Sequence, residues 1–289
     1  MATVTVDKVT QQPNTRGAIV AKQVALYVAL TLFGLLMLGP FILAIFGAFK
    51  STVEVNAYPP TLLPQVWHPE NFLDVAKLFP QFPRWFLNSV GLSVTVTVLN
   101  VFFCALAGYA FARLNFPGRT VLFLAVLATL MIPLQVTLIP KFIIMKQFGL
   151  INTYAGVILP NISTAAGIFL MTQFMKAIPH ELEEAAVMDG ATKWTVFTRV
   201  ILPLSVPALT ALAIFSFQGQ WNDFLWPLVV LNDQTLFTLP LGIAGFGHEH
   251  QANTNWVLVG SIFTTLPMVL LVFFFQRYIV KSVATTGGK

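Results

Sequence analysis

Of the 289 residues in this chain, 56% are hydrophobic and only 9% are charged. An ordinary soluble domain carries roughly 25% charged residues, so a soluble surface is excluded and lipid is the predicted solvent. The formal net charge of +5 comes from cations that stand singly between apolar segments, which does not favour nucleic-acid binding and fits the positive-inside rule of membrane proteins.

Six apolar segments are long enough to cross a bilayer, whose hydrocarbon core of about 30 Å requires about 20 apolar residues in a helix. Five of them contain no Asp, Glu, Lys, Arg or His, and they cover residues 24–49, 86–112, 121–139, 154–174 and 257–275. The remaining span, fifth in chain order, is predicted from residue 204 to about residue 220, with a polar group at its outer end. The predicted fold is therefore an all-α integral membrane protein with six transmembrane helices.

Several prolines fall within or at the ends of these spans, where each removes a backbone hydrogen bond and can kink the helix. They are Pro40, Pro133, Pro160, Pro207 and Pro267. Kinks that packing tolerates and hinges that open the bundle are both compatible with this pattern.

The distribution of Lys and Arg predicts the orientation in the membrane. With six crossings and the N-terminus inside, the outer segments hold 5 of the 16 cations and the cytoplasmic segments hold the other 11, as the positive-inside rule expects. The five outer cations are Lys50, Lys77, Arg84, Lys141 and Lys146. We therefore expect cytoplasmic tails at residues 1–23 and 280–289 and a six-span domain at residues 24–279. The first span is too long for a signal-peptide core and should remain as an anchor.

The segment 177–203, between the fourth and fifth spans, is predicted to form a helix-turn-helix lying flat under the membrane. Pro179 suits the first turn of a helix, and the acidic residues ending at Glu184 complement the positive end of the helix dipole. Gly190 permits the conformation that ends a helix. Thr192 can cap a second helix, which is expected to end before Pro203.

The residue order in this segment resembles the EAA loop of ABC importer permeases. Glu184-Ala185-Ala186 is followed by three residues, Gly190, nine residues and 200–203 (VILP), and only Val200 departs from the family pattern, replacing Ile. Further segments that look like the MalG-like inner-membrane subunits of carbohydrate importers are 108–113, 116–119, 131–136, 149–154, 221–227 and 276–280. Residues 1–23 match nothing in this pattern, and the tail 282–289 is atypical.

This resemblance implies a subunit of the bacterial inner membrane that passes a sugar or oligosaccharide. Its implied partners are a homologous second permease, two cytoplasmic ABC ATPases, an extracytoplasmic sugar-binding protein and membrane lipid. The loop residues that would couple to the ATPases are Glu184, Ala185, Ala186, Asp189, Gly190 and Pro203. ATP and Mg²⁺ would bind to the ATPases and no cofactor to this chain. The sequence contains no G-x-x-x-x-G-K-[ST] phosphate loop, so the chain is not expected to be an enzyme.

A second candidate site is the segment 218–226, QGQWNDFLW, predicted where a span meets the outer side. Amide, carboxylate and indole groups of this kind bind sugars, so Gln218, Trp221, Asn222 and Asp223 are candidates for the substrate path or for contact with the binding protein. An interfacial aromatic belt with a solvated Asp223 explains the same residues. His248-Glu249-His250 lacks a third assured ligand, so no metal site is predicted.

Three other functions compete with an importer permease. An ion-coupled secondary transporter usually has ionisable residues within its spans, and the five clear spans have none. A membrane-embedded enzyme would need a nucleophile, a metal cluster or a carboxylate pair at membrane depth, and the sequence shows no such constellation. A channel is harder to exclude by composition, and only the EAA pattern argues strongly against it.

Overall fold

A computed structural model describes residues 15–246 and 254–286, and all regular structure in those residues is helical. The helices are α1 Thr15–Ala48, α2 Thr52–Val55, α3 Glu70–Leu78, α4 Phe82–Arg113, α5 Arg119–Thr129, α6 Leu134–Gln147, α7 Tyr154–Ile158, α8 Ala165–Lys176, α9 Glu181–Met188, α10 Lys193–Val196, α11 Leu202–Leu204, α12 Val206–Trp221, α13 Leu225–Val230, α14 Leu239–Ala244 and α15 Thr254–Thr286. Short 3₁₀ turns lie at Leu159–Asn161 and Gln234–Leu236, and a π-turn lies at Phe197–Ile201.

Within the described residues, four helical stretches are long and apolar enough to cross a membrane, and the number rises to six if each of two bent helix pairs counts as one span. The four are Ile19–Ala48, Phe82–Arg113, Tyr154–Lys176 and Thr254–Phe275. The bent pairs are α5 with α6, at 107°, and Lys193–Leu204 with α12, at 75°. The predicted all-helical membrane fold is confirmed.

The third predicted span, 121–139, is wrong as a single helix. The helix stops at Thr129, and α6 starts at Leu134 in a different direction. Pro133 explains the position of the break, because it adopts an extended conformation (ψ 138°) and has no N–H to donate, and it disfavours helical backbone at Ile132.

Other prolines coincide with breaks in the same way. Pro160 lies in the 3₁₀ turn between α7 and α8, and Pro207 lies in the first turn of α12, directly after the 75° bend. Pro40 and Pro267 instead remain inside α1 and α15. Proline is thus compatible with both outcomes, and packing decides between them.

Helix α4 is the centre of the bundle and packs against both α8 and α12. The largest core cluster lies between these helices and the 177–203 segment, and it includes Cys104, Met171, Met175, Phe197, Ile201 and Leu212. Gly108 allows the close approach of α4 to α8, since a Cβ there would lie 2.5 Å from Met171 Cβ. Helix α1 packs along α15, and its apolar side chains are largely exposed, as suits a helix in lipid.

Candidate functional site

The EAA loop, residues 177–203, folds as two helical segments around a tight turn. Its first segment is α9, whose N-cap residue is His180. The sequence predicts Pro179 in the first turn of this helix, but Pro179 lies just before it. The first turn carries three carboxylates that face the positive end of the helix dipole, those of Glu181, Glu183 and Glu184.

Gly190 makes the turn, as the sequence predicts. Its φ is +85°, and its N–H donates to the carbonyl of Val187 at 2.9 Å. The N–H of Ala191 donates to the carbonyl of Ala186 at 2.9 Å, which closes α9. A Cβ at position 190 would meet no atom within 4 Å, so the backbone conformation rather than space requires glycine here.

The second segment begins at Thr192, whose hydroxyl accepts the N–H of Thr195 at 3.2 Å. The predicted cap is therefore correct. The predicted end before Pro203 is wrong, because the helical path runs from α10 through the π-turn and α11 to Leu204, and the 75° bend falls at Ser205. The wider π-turn before Pro203 accommodates the proline ring, which would clash with the preceding turn inside a regular α-helix.

The two faces of the EAA loop differ in exposure. Ala186 packs against the largest core cluster, in which Phe197 is buried, whereas Ala185 is exposed. Met188 is 87% exposed and Trp194 is 60% exposed. Two other predicted coupling residues are also exposed, Glu184 and Asp189. Large apolar side chains exposed on a folded loop form a surface of the kind that partner proteins cover.

Sequence reasoning missed the contact that holds this loop to α4. The last residue of α4, Arg113, has a side chain only 1% exposed, and its Nε lies 2.7 Å from Glu183 Oε1. Arg113 is the last residue of the segment 108–113, which contributes to the family resemblance. That resemblance was the only sequence feature that pointed to Arg113. Its loop partners lie more than sixty residues away in the sequence, so local pattern could not identify them.

The 218–226 segment divides into buried and exposed residues. Trp221 is 1% exposed, its indole N–H donates to the carbonyl of Thr264 at 2.9 Å, and its ring stacks on Phe217. It is therefore a core residue and not part of an aromatic belt. Gln218 and Asn222 are exposed.

Asp223 is half-buried and accepts the N–H of Trp226 at 3.2 Å, which ties it to the start of α13. The ammonium group of Lys141, on α6, lies 4.8 Å from the centre of the Trp226 ring. The structure thus brings α6 next to the candidate segment.

A polar cluster at the break between α7 and α8 was also missed. Asn100 on α4 donates to the carbonyl of Asn161 at 3.2 Å, and the side-chain amide of Asn161 approaches Gln220 Oε1 at 3.5 Å. Gln220 Nε2 is buried without a hydrogen-bond partner among the described residues. Two sequence features could have indicated this cluster. One is the amide of Asn100 within an apolar run, and the other is Gln220, the second glutamine of QGQWND.

The described residues hold no group of three or more His, Cys, Asp or Glu side chains that could bind a metal ion. His248-Glu249-His250 lies outside the described residues.

These features define a multi-pass helical membrane protein with a folded helix-turn-helix loop between two of its spans. Residues 101–285 match the family model of the binding-protein-dependent transport system inner membrane component. The chain belongs to this family. It is the non-catalytic permease subunit of a binding-protein-dependent ABC importer, and a multi-pass protein of the inner membrane.

Known relatives and structures agree with this assignment. The chain is 38% identical over 252 residues to the arabinooligosaccharides transport system permease protein AraQ of Halalkalibacterium halodurans, covering 86% of this chain and 90% of AraQ. It is 33% identical over 259 residues to the diacetylchitobiose uptake system permease protein NgcG of Streptomyces coelicolor, covering 88% and 85% of the two chains. A solved chain from a bacterial ABC transporter that imports alginate has the same fold, with a TM-score of 0.79, 22% identity and coverage of 94% of this chain and 99% of that one.

Proposed function

We propose that this chain forms half of the translocation pathway of an ATP-driven importer for a sugar or oligosaccharide. In this proposal it pairs with a homologous permease, two cytoplasmic ATPases that bind ATP and Mg²⁺, and an extracytoplasmic sugar-binding protein. Support for the carbohydrate comes from similar proteins whose names specify arabinooligosaccharides and diacetylchitobiose. The 24–279 domain, with cytoplasmic tails at both ends, is part of the same proposal, and the positive-inside distribution of Lys and Arg supports that orientation.

The EAA loop is the proposed contact with the ATPases. The observation that supports this role is its exposed face, which carries Glu184, Ala185, Met188, Asp189 and Trp194. The chain joins the loop to α8 on one side and to α12 on the other. A displacement of the loop would therefore pull on two helices of the core directly. Gly190 and Pro203 contribute by fixing the shape of the loop rather than by touching the partner.

The exposed amides of Gln218 and Asn222 are the proposed contacts with the passing sugar or with the binding protein. They lie at the end of α12, next to the half-buried Asp223. Planar hydrogen-bonding groups of this kind can pair with sugar hydroxyls. Trp221, which is buried, would support this segment from behind.

The test of the coupling role uses two matched glycine variants in the reconstituted importer. Gly190 and Gly118 have φ values of +85° and +80°, and a Cβ at either position would meet nothing within 4 Å. Proline, whose φ is fixed near −65°, can adopt neither conformation, and at position 190 it also removes the N–H that donates to the Val187 carbonyl. Gly190→Pro should abolish sugar uptake and the stimulation of ATP hydrolysis by the loaded binding protein, whereas Gly118→Pro should leave both largely intact.

A second variant tests the exposed face itself. Ala185→Asp places a carboxylate in the proposed apolar contact with the ATPase, which costs on the order of several kcal/mol if the charge stays unpaired. Both variants should insert into the membrane at normal abundance. Normal uptake in a well-expressed Gly190→Pro or Ala185→Asp protein would show that the EAA loop does not couple the two activities and would favour a channel.

A further inference from the structure

The guanidinium group of Arg113 is enclosed by groups from the start of the EAA loop and the end of α8. Its Nε forms an ionic contact with Glu183 at 2.7 Å, although this approach does not follow the direction of the N–H bond. Its Nη1 lies 2.7 Å from His180 Nε2. Its Nη2 donates to the carbonyl of Met175 at 2.6 Å and to the carbonyl of Ile178.

The positions of these partners explain why a planar cation suits the site. The carbonyls of Met175 and Ile178 lie at the negative end of α8, and Glu183 lies in the first turn of α9. A cation between them is attracted both to the negative end of α8 and to the carboxylate of Glu183. Arginine offers five donors in a fixed plane and can reach all of these groups at once, whereas the single ammonium of lysine cannot.

Tyr109 makes a second connection from α4, one helical turn before Arg113 and on the same face. Its hydroxyl donates to the carbonyl of Lys193 at 3.2 Å, and its ring centre lies 4.9 Å from that of Phe197. Lys193 and Phe197 belong to the second half of the EAA loop. Helix α4 therefore holds the first half through Arg113 and the second half through Tyr109.

We propose that Arg113 is a positioning residue that, together with Tyr109, fastens the EAA loop to α4, so that the loop moves α4 as well as α8 and α12. This inference rests on the proposed coupling role of the loop. The peptide chain alone would link the loop to two helices. The two side chains add the central helix of the bundle and make the loop and the ends of three helices one rigid block.

The experiment separates positioning from simple structural support. Removing one partner of a buried ion pair leaves an unpaired charge, so Arg113→Met and Glu183→Met should each lower the abundance of the assembled importer. The double variant replaces the pair by two apolar side chains and should restore abundance. Glu181→Met is the control, because it removes the same charge from an exposed position in the same first turn.

The readout is ATP hydrolysis with and without the loaded binding protein, measured beside sugar uptake in vesicles. In the restored double variant we expect stimulation by the binding protein to stay about fivefold or more below that of the unmodified importer, the low end of typical allosteric coupling. Tyr109→Phe keeps the ring but loses the bond to Lys193, and it should lower stimulation by about twofold or more. Glu181→Met should behave as the unmodified chain.

A double variant with normal abundance and normal stimulation would overturn the proposal and leave Arg113 a purely structural residue. If the double variant does not assemble, Tyr109→Phe decides, and normal stimulation in that variant overturns the proposal. The Gly190→Pro variant distinguishes this failure from failure of the proposed function. If Gly190→Pro uncouples transport and these variants do not, the loop couples without the connection to α4.

Discussion

The contact between α4 and α8 at Gly108 gives a prediction whose size follows from the structure. A Cβ at position 108 would lie 2.5 Å from Met171 Cβ, 3.0 Å from the carbonyl carbon of Met171 and 3.1 Å from the backbone N of Thr172. Non-bonded carbon atoms prefer about 3.5–4.0 Å, so Gly108→Ala forces the two helices apart by roughly 1 Å. The obstructing atoms belong to the start of a side chain and to backbone, so no rotamer change can relieve the clash.

The matched control is Gly91→Ala in the same helix, where a Cβ would meet nothing within 4 Å. Replacing glycine by alanine inside a helix favours folding by about 1 kcal/mol, and this gain applies to both variants. Overpacking of a core typically costs about 1–3 kcal/mol. The free energy of unfolding of Gly108→Ala should therefore be lower than that of Gly91→Ala by about 1–3 kcal/mol.

Unfolding of the purified chain in mixed detergent, followed by tryptophan fluorescence, measures this difference. Thermal unfolding of the assembled importer provides a second measurement in the natural complex. Equal unfolding curves for the two alanine variants would refute the reasoning, since they would show that α4 and α8 do not approach as closely as the structure indicates.

Two further predictions concern orientation and the 218–226 segment. Cysteine labelling in intact cells should reach a cysteine at Lys77 but not one at Lys193; an external reagent that modifies position 193 would contradict the orientation and the coupling role together. Asn222→Ala should reduce sugar uptake without changing stability, because the side chain is exposed, whereas Trp221→Phe should destabilise the chain by about 1–3 kcal/mol, because it leaves the Thr264 carbonyl without its indole donor. Unchanged uptake kinetics in the Asn222 variant would remove that residue from the substrate path.

The membrane spans could be predicted well from the sequence wherever one apolar run forms one helix. The predicted spans 86–112 and 257–275 lie within single long helices because hydrocarbon requires every backbone group to be paired within the segment. The predicted span 154–174 coincides with the stretch Tyr154–Lys176, but that stretch is interrupted at residues 159–164. The break near Pro133 could not be predicted in this way. Pro133 is recognisable in the sequence as a possible kink. The 107° angle, however, depends on where α6 packs, and local sequence does not determine that packing.

The shape of the EAA loop was predictable because its determinants are local. Gly190 and Thr192 act on residues within five positions of themselves, so their roles can be read from sequence order. The two alanines could not be told apart in the same manner. Ala186 faces the core and Ala185 faces outward, and that difference arises from packing against distant helices.

Helix α4 connects the EAA loop to the opposite end of the bundle. It is continuous over 32 residues, or about 48 Å at 1.5 Å per residue, whereas the path through α7 and α8 is interrupted at residues 159–164. Near its first turns, Trp85 donates to the carbonyl of Gln234 at 2.7 Å, and Ser89 accepts the N–H of Leu239 at 2.7 Å. A broken helix can absorb a displacement at its break, but a continuous helix passes it on. If the EAA loop is fastened to α4 through Arg113, its movement therefore reaches the 234–239 segment without crossing any break in the backbone.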